Sequence, residues 1–309
     1  MSHLVIIDGH AIAHRAYHSI PPLSVNGQPV NALYGFYSMI LSAMDILHPK
    51  YLVVCLDSPG PNFRNTEFVG YRAKRKPTDY DLVSQLPLLP STLEQANICH
   101  YSVGGFEADD LIATIARKAL LKKTKSKKVI SKVTIITGDK DLMQLVDDKI
   151  SLFVPIRGLS ETKLYGPEEV KEKLGVTPKQ VVDLKALMGD MSDNYPGVAG
   201  IGPKTATDLL EKYQNLDNIY SHLEEIKPAV AEKLVKDRDN AYLSQKLALL
   251  VSNIPITLKL KQSKFNLQQT KGLESIFQAY NFRSLLARLH RRYDLNPKIK
   301  VQSNQESLF

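Results

Sequence analysis

Four short apolar segments each hand over to an acidic side chain. Leu4 to Ile7 ends in Asp8, and Tyr51 to Leu56 ends in Asp57. Ile98 to Val103 leads through Gly104-Gly105-Phe106 into Glu107-Ala108-Asp109-Asp110, and Val133 to Ile136 leads through Thr137-Gly138 into Asp139-Lys140-Asp141. Apolar runs of this length, rich in β-branched residues, are the mark of buried strands in a parallel sheet. Ligands of open α/β sheets bind at the carboxyl ends of the strands. Acids gathered at one such edge cannot all stay ionised without a compensating charge. A divalent cation with oxygen ligands supplies it, Mg²⁺ being the natural choice and Mn²⁺ a substitute. Each group alone has a plainer reading: Glu107, Asp109 and Asp110 could complement a helix N-terminus, and Asp139 and Asp141 could cap a turn. Their coincidence favours a metal site.

Two further strings fit the same chemistry. Asn62 to Lys76 interleaves Phe63, Phe68 and Tyr71 with Arg64, Arg72, Lys74, Arg75 and Lys76 directly after Asp57. Cations meet phosphates and aromatic rings stack on exposed bases. In Leu187 to Ala206, Gly197, Gly200 and Gly202 precede Lys204-Thr205-Ala206, the spacing of a helix-hairpin-helix. Its glycines allow close approach to a DNA backbone, and free amides at the next helix start hold phosphate without reading sequence. Asp190 and Asp193 sit just before that hairpin.

The elements that must position these groups follow from periodicity. Helical spacing runs over Asn31 to Leu47 and Glu107 to Leu121. Strands alternating with helices make residues 1–165 an α/β domain with a mostly parallel sheet; Ile150 to Val154 supplies one more strand. Residues 166–292 read as a helical domain, with helices expected at 167–174, 178–188, 203–213, 216–223, 228–235, 239–249 and 272–289. Residues 293–309 read as a tail, and Lys122 to Lys128 as a solvated loop. The chain has 309 residues, 43% hydrophobic and 23% charged, with two cysteines and no apolar run near the ~20 residues of a membrane helix. A reducing, cytoplasmic setting is the expectation. Net charge is +8; setting nine of the 32 acids aside as ligands leaves 23 acids against 40 bases, a basic body around an acidic centre.

These motifs, in this order, resemble the 5′-3′ exonuclease domain of bacterial DNA polymerase I, within the flap endonuclease family. The resemblance rests on Asp8-Gly9-His10 with Arg15-Ala16-Tyr17-His18, on Phe63-Arg64 and Tyr71 to Arg75, on Glu107 to Asp110, on Gly138 to Leu142 and on Gly189 to Ala206. It implies a PIN-like nuclease core with a helix-hairpin-helix domain, and a two-metal site. Asp8, Asp57, Glu107 and Asp109 would serve one Mg²⁺; Asp139, Asp141 and Asp193 would serve the second, with Asp110 and Asp190 in support. It also implies a helical arch near 62–95, in which Tyr71 stacks on a base, Arg72 and Arg75 reach the scissile phosphate, and Arg64 and Lys74 contact DNA. Arg15 would face the phosphates, and the hairpin, with K⁺, would hold a duplex. Arg72 departs from the lysine usual in the family. The implied activity is structure-dependent cleavage at 5′ flaps, nicks and 5′ ends, RNA-primed ends included, by a monomer. A PIN-like ribonuclease and a catalytically weak junction-binding protein are the alternatives. A polymerase part does not fit in 309 residues, so the chain reads as stand-alone or excised. Gln305-Glu306-Ser307-Leu308-Phe309 resembles the peptides that dock on the bacterial sliding clamp, with Gln305, Leu308 and Phe309 as contacts.

Overall fold

The apolar runs do form one sheet. The computed structural model describes residues 2–124, 127–157 and 161–293. Strands β1 (His3–Asp8), β2 (Tyr51–Cys55), β3 (His100–Tyr101), β4 (Lys132–Ile136), β5 (Ile150–Arg157) and β6 (Glu161–Tyr165) lie in the order β6-β5-β4-β1-β2-β3. All neighbours pair parallel except β6, which runs antiparallel to β5. Central β1 is buried from Leu4 onward, because helices cover both faces. Helix α1 (Gly9–Ser19) begins on the residue after Asp8, and α2 (Asn31–Leu47) packs beside it. Helix α3 (Ala108–Leu121) buries its apolar stripe on the opposite cluster, with Leu111, Ile112 and Ile115 fully enclosed. The turn from β1 into α1 needs glycine: a Cβ on Gly9 would collide with the Leu56 side chain and approach the Cys55 carbonyl.

The second half is helical, including α4 (Val181–Met188), α5 (Pro203–Tyr213) and α6 (Arg238–Ala248). Three expectations need correction. The helix expected at 272–289 is two, α7 (Leu267–Ala279) and α8 (Arg283–Tyr293), broken where Asn281 takes a left-handed φ of 52°. These helices do not belong to a separate helical body: Leu273, Phe277, Phe282 and Leu289 pack into the cluster of α1 and α2, and Arg288 pairs with Asp45 at 2.6 Å. The chain therefore returns to the sheet domain after about residue 250. Third, the lysine-rich stretch is not all loop, since Lys123–Thr124 and Lys127–Lys128 pair as two short antiparallel strands. Among the described residues no helix is long and apolar enough to cross a membrane. Gln305, Leu308 and Phe309 lie outside the described residues.

Candidate metal and nucleic-acid site

The carboxyl edge of the sheet carries a cavity of about 170 Å³ lined by Asp8, His10, His14, Asp57, Asp109 and Asp139, with Arg72 and Arg75 on its wall. Three strand ends and the first turn of α3 thus deliver four acids to one space. Each is aimed by the backbone around it. Asp8 caps α1, accepting from Ala11 N at 3.1 Å, and its other oxygen accepts from Thr137 Oγ1 at 2.8 Å. Thr137 Oγ1 in turn accepts from Asp139 N at 2.9 Å, so β1 and β4 hold their acids in register. Asp57 accepts from Ala108 N at 2.8 Å, at the start of α3. His10, which sequence reasoning left without a role, accepts from Asp57 N through Nδ1 at 2.9 Å. Burial pushes the His10 and His14 imidazoles below their ordinary range, keeping them neutral near pH 7.

The acids titrate as a crowd. Loss of solvent, then the Asp57 charge, pushes Asp8 up to about 7. Asp109 is pushed well up by the same loss and by Asp139 and Asp8. Glu107 is raised by burial despite Arg72 and Arg64. Oxygen donors of this kind suit a hard cation, and the cavity has room for one that keeps several waters, as Mg²⁺ does. The fit is chemical rather than preformed: among the described residues no three acid, histidine or cysteine side chains already stand in a metal-holding geometry.

The remaining acids are held by the protein's own cations. Glu107 accepts from Asn62 Nδ2 at 2.7 Å and pairs with Arg72 at 2.5 Å. Asp193, 6% exposed, takes Arg72 Nε at 3.2 Å and Arg75 Nη2 at 2.5 Å. Lys185 bridges Asp141 and Asp190, the latter at 2.6 Å. Against the upward push of burial, Lys185 holds Asp190 down at about 2, whereas burial and Asp139 raise Asp141 to about 7. Lys185 escaped the sequence reading, although its place one helical turn before Gly189-Asp190 was a usable signal. Asp139 thus lines the cavity with Asp8, Asp57 and Asp109, while Asp141, Asp190 and Asp193 stand beside it, each touching a lysine or arginine of the chain.

Four other expectations are corrected. Arg64 is no DNA contact: it is 2% exposed and forks onto Asp110 at 2.7 and 2.9 Å. Asp110, fully enclosed, accepts that fork and Val251 N and does not line the cavity. Tyr71 is 4% exposed and donates to both Glu107 and Asp193, so its ring is not free to stack on a base. Nor is 62–95 one helical arch. It forms short helices at Phe63–Glu67, Tyr80–Gln85 and Leu88–Gln95, and the stretch between the first two folds down onto the acids. Arg72 N donates to Asp193 O at 2.9 Å and Asn194 Nδ2 to Gly70 O at 2.7 Å, tying this stretch to the hairpin region. Exposed Lys74 lies in a shallow groove beside Met191 and Asn194. Arg15 is off the cavity wall and donates to Ile156 O at 2.7 Å.

The helix-hairpin-helix is present as α4, a turn and α5. Gly197 has φ 61°, and a Cβ there would strike the backbone of Gly189, so only glycine fits. Gly200 has φ 77° beside Lys233; Gly202 faces open space and caps α5, leaving Lys204 exposed and Thr205 half-buried on its first turn.

A cation and protons compete for the same oxygens. Between about pH 4 and 7 the folded chain keeps protons on Asp8 and Asp141 that the unfolded chain has lost, so without a cation these groups lower stability as pH rises. The increase in Tm on adding Mg²⁺, relative to EDTA, is therefore expected to grow from pH 5.5 to pH 8. Scanning fluorimetry of both conditions measures it; a constant or shrinking increment contradicts a cation among these acids. The lowered histidines pull the other way, but in both conditions.

Comparison with known proteins adds a lineage. Residues 3–175 match the family described as 5′-3′ exonuclease, N-terminal resolvase-like domain, and residues 176–271 the one described as 5′-3′ exonuclease, C-terminal SAM fold. The 5′-3′ exonuclease of Bacillus subtilis is 32% identical over 299 residues, covering 92% of this chain and 98% of that protein. DNA polymerase I of Caldicellulosiruptor bescii is 38% identical over 289 residues, covering 93% of this chain and 33% of the polymerase. The chain thus spans about a third of the length of the polymerase relatives it matches. Among solved structures, T5 5′-exonuclease with bound zinc superposes at a TM-score of 0.64 with 21% identity, covering 93% of this chain and 98% of that one. The catalytic core of Rad2 in complex with DNA substrate gives 0.60 with 16% identity, covering 93% and 92%. At these identities the structural likeness is one of fold.

Proposed function

The chain belongs to the 5′-3′ exonuclease family, and on that premise we propose that it is a metal-dependent phosphodiesterase acting on DNA at 5′ ends and 5′-flap junctions. The observation that carries the reading is the single cavity into which three strand ends and the first turn of α3 deliver Asp8, Asp57, Asp139 and Asp109, with Arg72 and Arg75 on its wall. Acids and guanidinium groups on one wall suit a site that takes a cation and a phosphate together. Two proteins of the same fold, T5 5′-exonuclease and Rad2, were solved with zinc and with DNA substrate respectively, which supports both halves of the reading.

Asp8, Asp57, Asp109 and Asp139 would hold a Mg²⁺ ion, and Asp141, Asp190 and Asp193 a second. A bound divalent cation lowers the pKa of a coordinated water and stabilises charge on the phosphate. The second group accepts a cation only if Lys185, Arg72 and Arg75 give up their present partners. Arg72 and Arg75 would exchange Glu107 and Asp193 for the anionic phosphate, which binds a guanidinium fork in a bidentate manner. The hairpin and the first turn of α5 present backbone amides to the duplex, with K⁺ as the counter-charge the family resemblance implies. Removal of RNA primers and displaced strands is the role such a cut would serve, and the sliding clamp is the partner the tail would address.

The test is a labelled 5′-flap duplex incubated with protein and Mg²⁺, with and without EDTA. We expect short 5′ products released at the junction and none in EDTA. Binding without cleavage in Mg²⁺ and Mn²⁺ alike would overturn the reading in favour of a junction-binding protein. Cleavage of single-stranded RNA with the flap left intact would overturn it in favour of a ribonuclease.

A further inference from the structure

The fold that gathers acids at one edge of the sheet gathers lysines at the other. Lys50 directly precedes β2, Lys132 opens β4, and Lys122 follows the C-terminal end of α3. The segment 258–264 crosses this edge, with Leu52 N donating to Ser263 O at 2.7 Å and Lys264 bridged to Tyr51, the first residue of β2. β2 has five residues, so at about 3.3 Å per residue this edge lies roughly 15–20 Å from the acids.

The segment is a fixed platform. Leu258 and Leu260 are buried, which turns Lys259 and Lys261 outward; Lys264 is exposed as well. Lys259 N donates to Tyr101 Oη at 2.8 Å, the Tyr101 hydroxyl donates to Thr257 O at 3.3 Å, and Lys122 Nζ donates to Leu258 O at 3.4 Å. Two adjoining grooves of about 560 and 670 Å³ flank it and share Lys259, Lys261 and Gln262. Glu94 is the sole acid among their lining residues. Among the described residues, none of these six lysines is in an ion pair.

We propose that this face is a second DNA-contacting surface, one that holds the phosphate backbone of a duplex segment remote from the cut. Like charges left unpaired on a rigid face repel one another, and a polyanion relieves that repulsion. Lysines at intervals, without arginine forks, suit sequence-independent phosphate contact. A protein partner would call for aromatic and arginine anchors, and the outward positions of the segment carry lysine instead. The surface goes beyond the cut site, and it gives the lysine-rich end of α3 a role.

Its test needs neither a 5′ end nor turnover. Binding of closed circular duplex DNA is measured in EDTA for the wild type and for the K259E/K261E/K264E triple variant. Affinity should fall at least tenfold, and the slope of log K against log salt should shrink by about three, close to one for each phosphate that the variant no longer neutralises. Unchanged affinity and slope overturn the proposal. A second measurement does not depend on the variant folding: acetylation of wild-type lysines with and without circular duplex should show Lys259, Lys261 and Lys264 protected by DNA. Equal labelling overturns it, as does protection by polyglutamate alone, which would assign the face to an acidic protein.

Discussion

Arg64→Ala is expected to destabilise the protein by about 3–5 kcal/mol, the cost of leaving a buried charge without its partner. Arg64 stands at the crossing of three parts of the chain. Its guanidinium forks onto Asp110, in the first turn of α3, and Nε donates to Leu247 O at 2.9 Å at the end of α6. Its planar face lies 4.5 Å from the centre of the Phe63 ring. Without it, fully enclosed Asp110 keeps Val251 N and Glu107 N as donors but loses its counter-charge. Tm should fall by roughly 10 °C. Arg64→Met combined with Asp110→Leu should recover most of the stability, because removing both charges leaves neither one bare. Thermal unfolding of the single and double variants decides the matter. A surface phosphate contact would predict the opposite pattern, an unchanged Tm with weaker DNA binding.

Asp139→Asn should reduce flap cleavage at least a hundredfold, about 3 kcal/mol of transition-state stabilisation, while leaving flap affinity in EDTA within about twofold. Asparagine keeps the side-chain oxygen that accepts from Asp141 N at 2.8 Å, so the Thr137-to-Asp141 turn is retained. What disappears is one negative charge in the cavity. Asp139 is among the charges that raise Asp8, Asp109 and Asp141, so its removal should also raise Tm in EDTA even as Mg²⁺ binding weakens. Wild-type turnover in Asp139→Asn would remove the acid cavity from the mechanism. A fall in Tm would show instead that the side chain serves the fold.

Much of this was legible in residue order. β1, β2, β4 and β5 were visible as apolar runs because strands buried on both faces are apolar throughout. The acids after them were visible because a ligand site in such a sheet has only one edge to occupy. β6 was not: Glu161 to Tyr165 is an antiparallel edge strand, exposed at Glu161, Lys163 and Leu164, and carries no apolar run. The break between α7 and α8 was hidden for a related reason. A left-handed asparagine leaves the helical spacing of apolar residues on either side intact.

Charge by itself could not say which cation faces which anion. Arg64, Arg72 and Arg75 lie within twelve positions of one another and read alike in sequence. The fold buries the first against Asp110, lays the second across Glu107 and Asp193, and leaves the third half-exposed beside the cavity. The sequence alone determined the family, the α/β core, the acidic strand ends and the hairpin, because each is written in local order and spacing. Only the tertiary structure decided which acids share a cavity, which are neutralised by Lys185 and the arginines, and that lysines scattered from Lys50 to Lys264 meet at the opposite edge. Those pairings join residues up to about two hundred positions apart, and Coulomb energy depends on distance in space and on burial, neither of which residue order contains.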